Sequence, residues 1–197
     1  MLPMRARSVR TSGILTAALL LSAAAVAPSA GAAVRDTAGP LTGDGGAPHC
    51  TVNATSGSER CYRTFTEAIE AASGGRVTGA PLSAAEAVRS DAFNARMADQ
   101  AQDGVIQGTF FEDEQYGGAS LTIWGAEPCV KDGWVNFQFD LGDDWKNRIS
   151  SLQPWGGCAL WLYPEPGLNG DRDGPFEENS AAIGSFMNDR TQSIGFS

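Results

Sequence analysis

The sequence predicts an all-β domain over residues 107–197, made from one motif used twice and preceded by a small helical region. Three observations predict it. Short apolar runs (Val135, Phe137 and Phe139; Leu160 and Leu162; Ile194 and Phe196) alternate with Gly, Pro, Asn and Asp, the pattern of short strands joined by turns. Of 17 aromatic residues, 14 fall after residue 106, among them all five Trp: Trp124, Trp134, Trp145, Trp155 and Trp161. Bulky rings fill cores, so the core belongs there. Finally, a stretch near the start of this half recurs downstream in degraded form.

The chain opens with Arg5, Arg7 and Arg10 and no acid, followed by an apolar run from Gly13 to Ala27 and the small residues Ala30-Gly31-Ala32. Residues 1–32 therefore read as a secretory signal peptide. The apolar run falls short of the ~20 residues that span a bilayer, and no Cys near the cleavage site could carry a lipid. Export, release and no membrane attachment after signal removal are expected. Residues 33–49 are rich in Gly, Ala and Pro and read as a flexible tail that includes the sole histidine, His49.

Four cysteines in an exported chain point to disulfides, and four allow three connectivities. Cys50–Cys61 with Cys129–Cys158 is favoured, because each pair then stays within one region. The second closes a loop of about 29 residues, worth roughly 3–4 kcal/mol on the loop-entropy model. Zinc is disfavoured: no CxxC spacing occurs, and one His is too few.

Residues 50–106 read as a small Ala-rich helical region. Thr64 and Glu67 form a capping box before Phe65, Ala68, Ile69 and Ala72, which share one helical face, and Gly74-Gly75 ends that helix. Ser83 and Glu86 form another, opening a helix expected from about Ala84 to Gln102 with Val88, Ala92, Ala95 and Ala101 among its small apolar positions. With so little bulk the region is not expected to fold firmly alone. It would pack on the C-terminal domain or serve as a removable pro-segment.

The repeated motif begins at Phe110-Phe111. A polar run, Glu112 to Gln115, leads to Tyr116 and Gly117-Gly118, and Leu121 and Ile123 then alternate with Ser120 and Thr122. Downstream, Tyr163, Leu168 and Gly170 align with Phe111, Tyr116 and Gly118. The endings repeat as well, with Ser151 closing Asn147-Arg148-Ile149-Ser150 and Ser193 closing Asp189-Arg190-Thr191-Gln192. This pattern resembles the βγ-crystallin family, in which such a fold-back opens each Greek-key motif and a late Ser hydrogen-bonds to it. Two positions depart: Leu168 replaces an aromatic and Gly108 an apolar residue. The secreted actinobacterial metalloproteinase inhibitors share that fold, and the chain is similar to them too.

The resemblance implies two interlocked Greek-key motifs forming a sandwich, and calcium at paired loops. Calcium-binding members use two Asn/Asp residues, two free positions, then Ser/Thr and Ser. Here the copies run Lys146 to Ser151 and Asn188 to Ser193. Each site borrows its first side chain from the other motif. Asn188 would serve with the Asn147 carbonyl and Ser150 hydroxyl. The reciprocal site, with Lys146, Asp189 and Gln192, carries an ammonium where a ligand belongs. At most one weak calcium site is expected, drawn from Asn147, Ser150, Asn188 and Asp189.

Catalysis is not expected. Ser-His-Asp and Cys-His chemistry both need a positioned His, and His49 falls in the expected tail. The carboxylates Glu112, Asp140, Asp143 and Asp144 could pair for glycoside hydrolysis, but an acidic domain offers such pairs by chance. Net charge is −9, and residues 107–197 alone hold 14 acids and 5 bases. Nucleic acid and anionic lipid are therefore poor partners. A secreted protease or another extracellular protein is the expected partner class. The loops Gly125–Asn136 and Pro164–Gly174 are the candidates for an inhibitory contact.

Overall fold

The structure, a computed structural model, describes residues 47–99 and 105–197. The expected signal peptide, residues 33–46 of the expected tail, and the expected end of the second helix lie outside the described residues.

Among the described residues, nine strands form two sheets. The five-stranded sheet has the order β2 (Glu59–Tyr62), β1 (His49–Asn53), β4 (Ser120–Gly125), β3 (Val105–Phe111) and β6 (Ser151–Pro154). The four-stranded sheet runs β5 (Phe137–Asp140), β9 (Ser193–Phe196), β7 (Leu160–Tyr163) and β8 (Asp173–Phe176). All pairings are antiparallel except β1 with β4.

The first motif supplies β3, β4 and β6 to one sheet and sends β5 to the other, where it pairs with β9. The second motif answers in kind: Ser180 bridges Leu152 of β6. Each motif thus completes its partner's sheet, and neither can bury its apolar face alone. Leu121, Ile123, Leu152, Leu160, Ile194 and Phe196 fill the space between the sheets, each no more than 2% exposed. The ring of Phe110 meets that of Phe196 edge-on, 6.4 Å between centroids. Gly108 lies against the Phe110 ring. A Cβ there would sit 3.1 Å from the Phe110 ring and 3.4 Å from Leu160.

The N-terminal region is not purely helical, which corrects the composition-based reading. It contributes the β1–β2 hairpin, and the boundary expected at 106/107 falls inside β3. His49 is the first residue of β1, not part of a tail. Three helices follow: α1 (Phe65–Ala72), α2 (Ala84–Val88) and α3 (Asp91–Ala98). The Thr64–Glu67 capping box is formed. The single helix expected from Ala84 is instead two. Ser90 takes extended geometry and its hydroxyl accepts from Phe93 N, opening α3 afresh. That rotation buries Phe93 and Met97 and leaves Ala92 and Ala95 exposed.

A second core lies between these helices and the outer face of the larger sheet. Phe65, Ile69, Phe93 and Met97 pack there with Ile106 and Phe111. A bulge at Gln107 turns Ile106 toward the helices and Gly108 toward the sandwich. Both disulfides are formed, Cys50 with Cys61 across the hairpin and Cys129 with Cys158.

Candidate functional site

Each motif opens with a fold-back that the late Ser ties down. The Ser151 hydroxyl donates to Asp113 O at 2.7 Å and accepts from Tyr116 N at 3.1 Å. Ser193 repeats this on Glu165 O at 2.6 Å and Leu168 N at 3.0 Å. Tyr116 and Leu168 both have positive φ, 63° and 59°, a strained backbone held by that hydroxyl. A side chain at Gly118 would come within 2.8 Å of Asp113 Oδ2. Phe111 and Tyr116 stack edge-on at 5.6 Å. The second copy keeps the backbone geometry without the second ring, so Leu168 costs the motif an aromatic contact but not its shape.

These anchors bring the two candidate loops face to face. Asn147 N donates to Thr191 O at 2.8 Å, and Asp189 N to Ile149 O at 3.1 Å. Ser150 N donates to Phe111 O and Gln192 N to Tyr163 O, a matching pair. Asn147 and Asp189 share φ values of 59° and 54°. One turn earlier Trp145 and Met187 are both buried, pinning the two loops to the core.

Polar side chains meet at this junction. Ser150 Oγ donates to Asp189 Oδ1 at 3.4 Å, and Asn188 Nδ2 to Asp189 Oδ2 at 3.0 Å. Asn188 Oδ1 is buried and has no hydrogen-bond partner. Ser150, Asn188 and Asp189 therefore meet through side chains, while Asn147 joins through the facing backbone. This donor set is all oxygen, which suits a hard cation, but it holds one carboxylate, which limits affinity. Lys146 turns to Asp143 at 2.8 Å and holds that carboxyl below its ordinary range.

Three of the four carboxylates considered for hydrolysis, Glu112, Asp140 and Asp143, are engaged elsewhere. Arg148 reaches Glu112 at 2.6 Å, and its hydrogen bond lowers the Glu112 pKa. Asp140 Oδ1 accepts from Gly167 N at 2.7 Å, tying the second fold-back to β5. His49 Nδ1 lies 2.8 Å from Ser120 Oγ, yet Ser120 is fully buried and beyond a substrate's reach. That pairing could not be read from the sequence, because the residues lie 71 positions apart.

Of the two candidate contact loops, the first is braced from within. Asn136 Oδ1 accepts from Val130 N at 2.7 Å, and Asp132 Oδ1 accepts from Trp134 N at 3.0 Å. Cys129 N is held by Gly156 O. Val130 and Trp134 stand in solvent, 62% and 76% exposed. The second loop, Pro164–Gly174, is mostly the fold-back of the second motif and its return.

No family model matches the chain, and no curated protein matches it. Among solved structures it is similar to a βγ-crystallin domain from Clostridium beijerinckii (21% identity, TM-score 0.36, covering 46% of this chain and 95% of that one). It is also similar to the N-terminal domain of protein S (21%, 0.36, 46% and 94%) and to a βγ-crystallin domain from Flavobacterium johnsoniae (20%, 0.34, 46% and 92%).

Proposed function

We propose that the chain is a secreted, non-enzymatic βγ-crystallin-like binding or stability module with one weak calcium site at the junction of its two loops. The observation that carries the reading is the meeting of Ser150, Asn188 and Asp189 beside Asn147, with Asn188 Oδ1 buried and unpaired. An unpaired buried amide oxygen is costly, and a cation would satisfy it. Asn147 would add its carbonyl. The basic, apolar leader and the two disulfides support export. No described helix is long and apolar enough to cross a membrane.

The test is calorimetric titration of the whole chain with calcium, beside thermal melts with and without chelator. One binding event, lost in Asn188→Ala and accompanied by a calcium-raised Tm in the parent, supports the reading. No heat and no shift reject the calcium site.

A second reading, inhibition of a secreted metalloproteinase, is favoured by the braced loop of residues 129–136. Preorganisation lowers the ordering cost of binding, and the exposed Val130 and Trp134 supply an anchor. Inhibition of one enzyme in a panel of secreted metalloproteinases, abolished by Trp134→Ala, would establish it. Absence of inhibition across the panel rejects it.

A further inference from the structure

The β1–β2 hairpin builds a hollow on the helix side of the larger sheet, away from the paired loops. It measures about 380 Å³. Thr51 lies at its floor, Tyr62 and Trp124 at its rims, Arg60 and Ser58 beside it, and Ala71 at the end of α1 forms a wall. We propose that this hollow binds a neutral oligosaccharide.

Its shape follows from the register. Tyr62 is paired with His49, and Trp124 with Asn53, on opposite sides of β1. Strand spacing and rise place the two aromatic positions roughly 16 Å apart along a diagonal over Thr51. A span of that kind suits a chain of sugar rings better than a single one. Both rings are half-buried, so each presents an apolar surface that stays partly open.

The polar groups are available. Among the described residues nothing hydrogen-bonds to Tyr62 Oη, Trp124 Nε1 or the Thr51 hydroxyl. Open aromatic faces beside a few unspent donors and acceptors are what sugar hydroxyls and C–H faces require. No carboxylate is among the residues that line the hollow, and Arg60, the one cation among them, is already engaged in an interaction. With net charge −9 on the chain, an anionic polymer would be repelled.

Trp134, though more exposed, is the poorer sugar platform. The side chains of Asp132 and Asn136 beside it are spent on bracing their own loop. The more exposed ring therefore lacks free polar neighbours, and the less exposed rings have them.

The experiment is titration of the whole chain with chitotetraose, cellotetraose and maltotetraose, followed by calorimetry and tryptophan fluorescence. Saturable binding of at least one, weakened roughly tenfold (~1.4 kcal/mol) by Tyr62→Ala, is the expected result. Thr51→Val should weaken it as well, and Trp134→Ala should leave it unchanged. Tyr62 lies on an edge strand, so its loss leaves the core intact, and melts of each variant check this. No saturable signal with any of the three sugars overturns the proposal. So does binding that survives Tyr62→Ala but is lost in Trp134→Ala.

Discussion

His49 Nδ1 lies 2.8 Å from Ser120 Oγ, and this contact joins the first described strand to the edge of the Greek-key sheet. The imidazole also meets Phe65 of α1 edge-on at 5.8 Å. One side chain therefore links β1, β4 and α1. The hairpin and helices are part of the folded unit, with β1 paired to β4 along its whole length.

Burial lowers the His49 pKa from its ordinary value of 6.5. The folded state therefore resists a proton that the unfolded chain accepts. Stability should be full above about pH 6.5, fall as pH drops below it, and level off beneath the folded value. Glu59, raised by burial and by Asp144, acts in the opposite sense at lower pH. Comparing the parent with His49→Gln isolates the histidine. Denaturant melts at pH 7.5 and 5.5 should converge for the variant relative to the parent. An unchanged pH slope would show that His49 carries no linkage.

Ser151→Ala and Ser193→Ala should each destabilise the fold by about 1–3 kcal/mol. Each loses one donated bond and leaves a fold-back amide unpaired. Urea unfolding measures this directly. Similar losses at the two sites would confirm that the motifs are equivalent, despite Leu168 in the second.

Lys146→Asn combined with Gln192→Ser should create a second calcium-binding step. The two changes replace an ammonium and an amide with the side chains that the pattern places there. Calorimetric stoichiometry reads the outcome, and a variant that gains no second step would show that Asp189 is committed to Ser150 and Asn188.

Removing the 129–158 disulfide by a double Cys→Ser change should cost about 3–4 kcal/mol on the chain-entropy model. The loop bearing Val130 and Trp134 should lose order first, since Cys129 anchors its base. Hydrogen exchange at Val130 N and Trp134 N would report it. Undiminished protection would mean that Asn136 and Asp132 suffice.

Much of this architecture was legible in the chain. Phe111, Tyr116, Gly118 and Ser151 are short-range signals, because a fold-back is fixed by local sterics and one returning hydroxyl. The capping box at Thr64 is local too, and it formed as read. The break at Ser90 is not legible in the sequence, because Ala-rich periodicity continues through it. What decides the break is the burial of Phe93 beside Trp155, a contact 62 residues distant in sequence.

By itself the sequence determined the Greek-key repeat, its anchoring serines and the cysteine pairs that stay within one region. Only the tertiary structure decided that His49 belongs to a strand and that residues 49–62 extend the sheet. It also decided that Tyr62 and Trp124 rim one hollow. The physical reason is range. Turns and caps are settled within a few residues, whereas parallel pairing of β1 with β4 joins segments some 70 residues apart. Such pairing carries a loop-closure cost that no local signal in the sequence reveals.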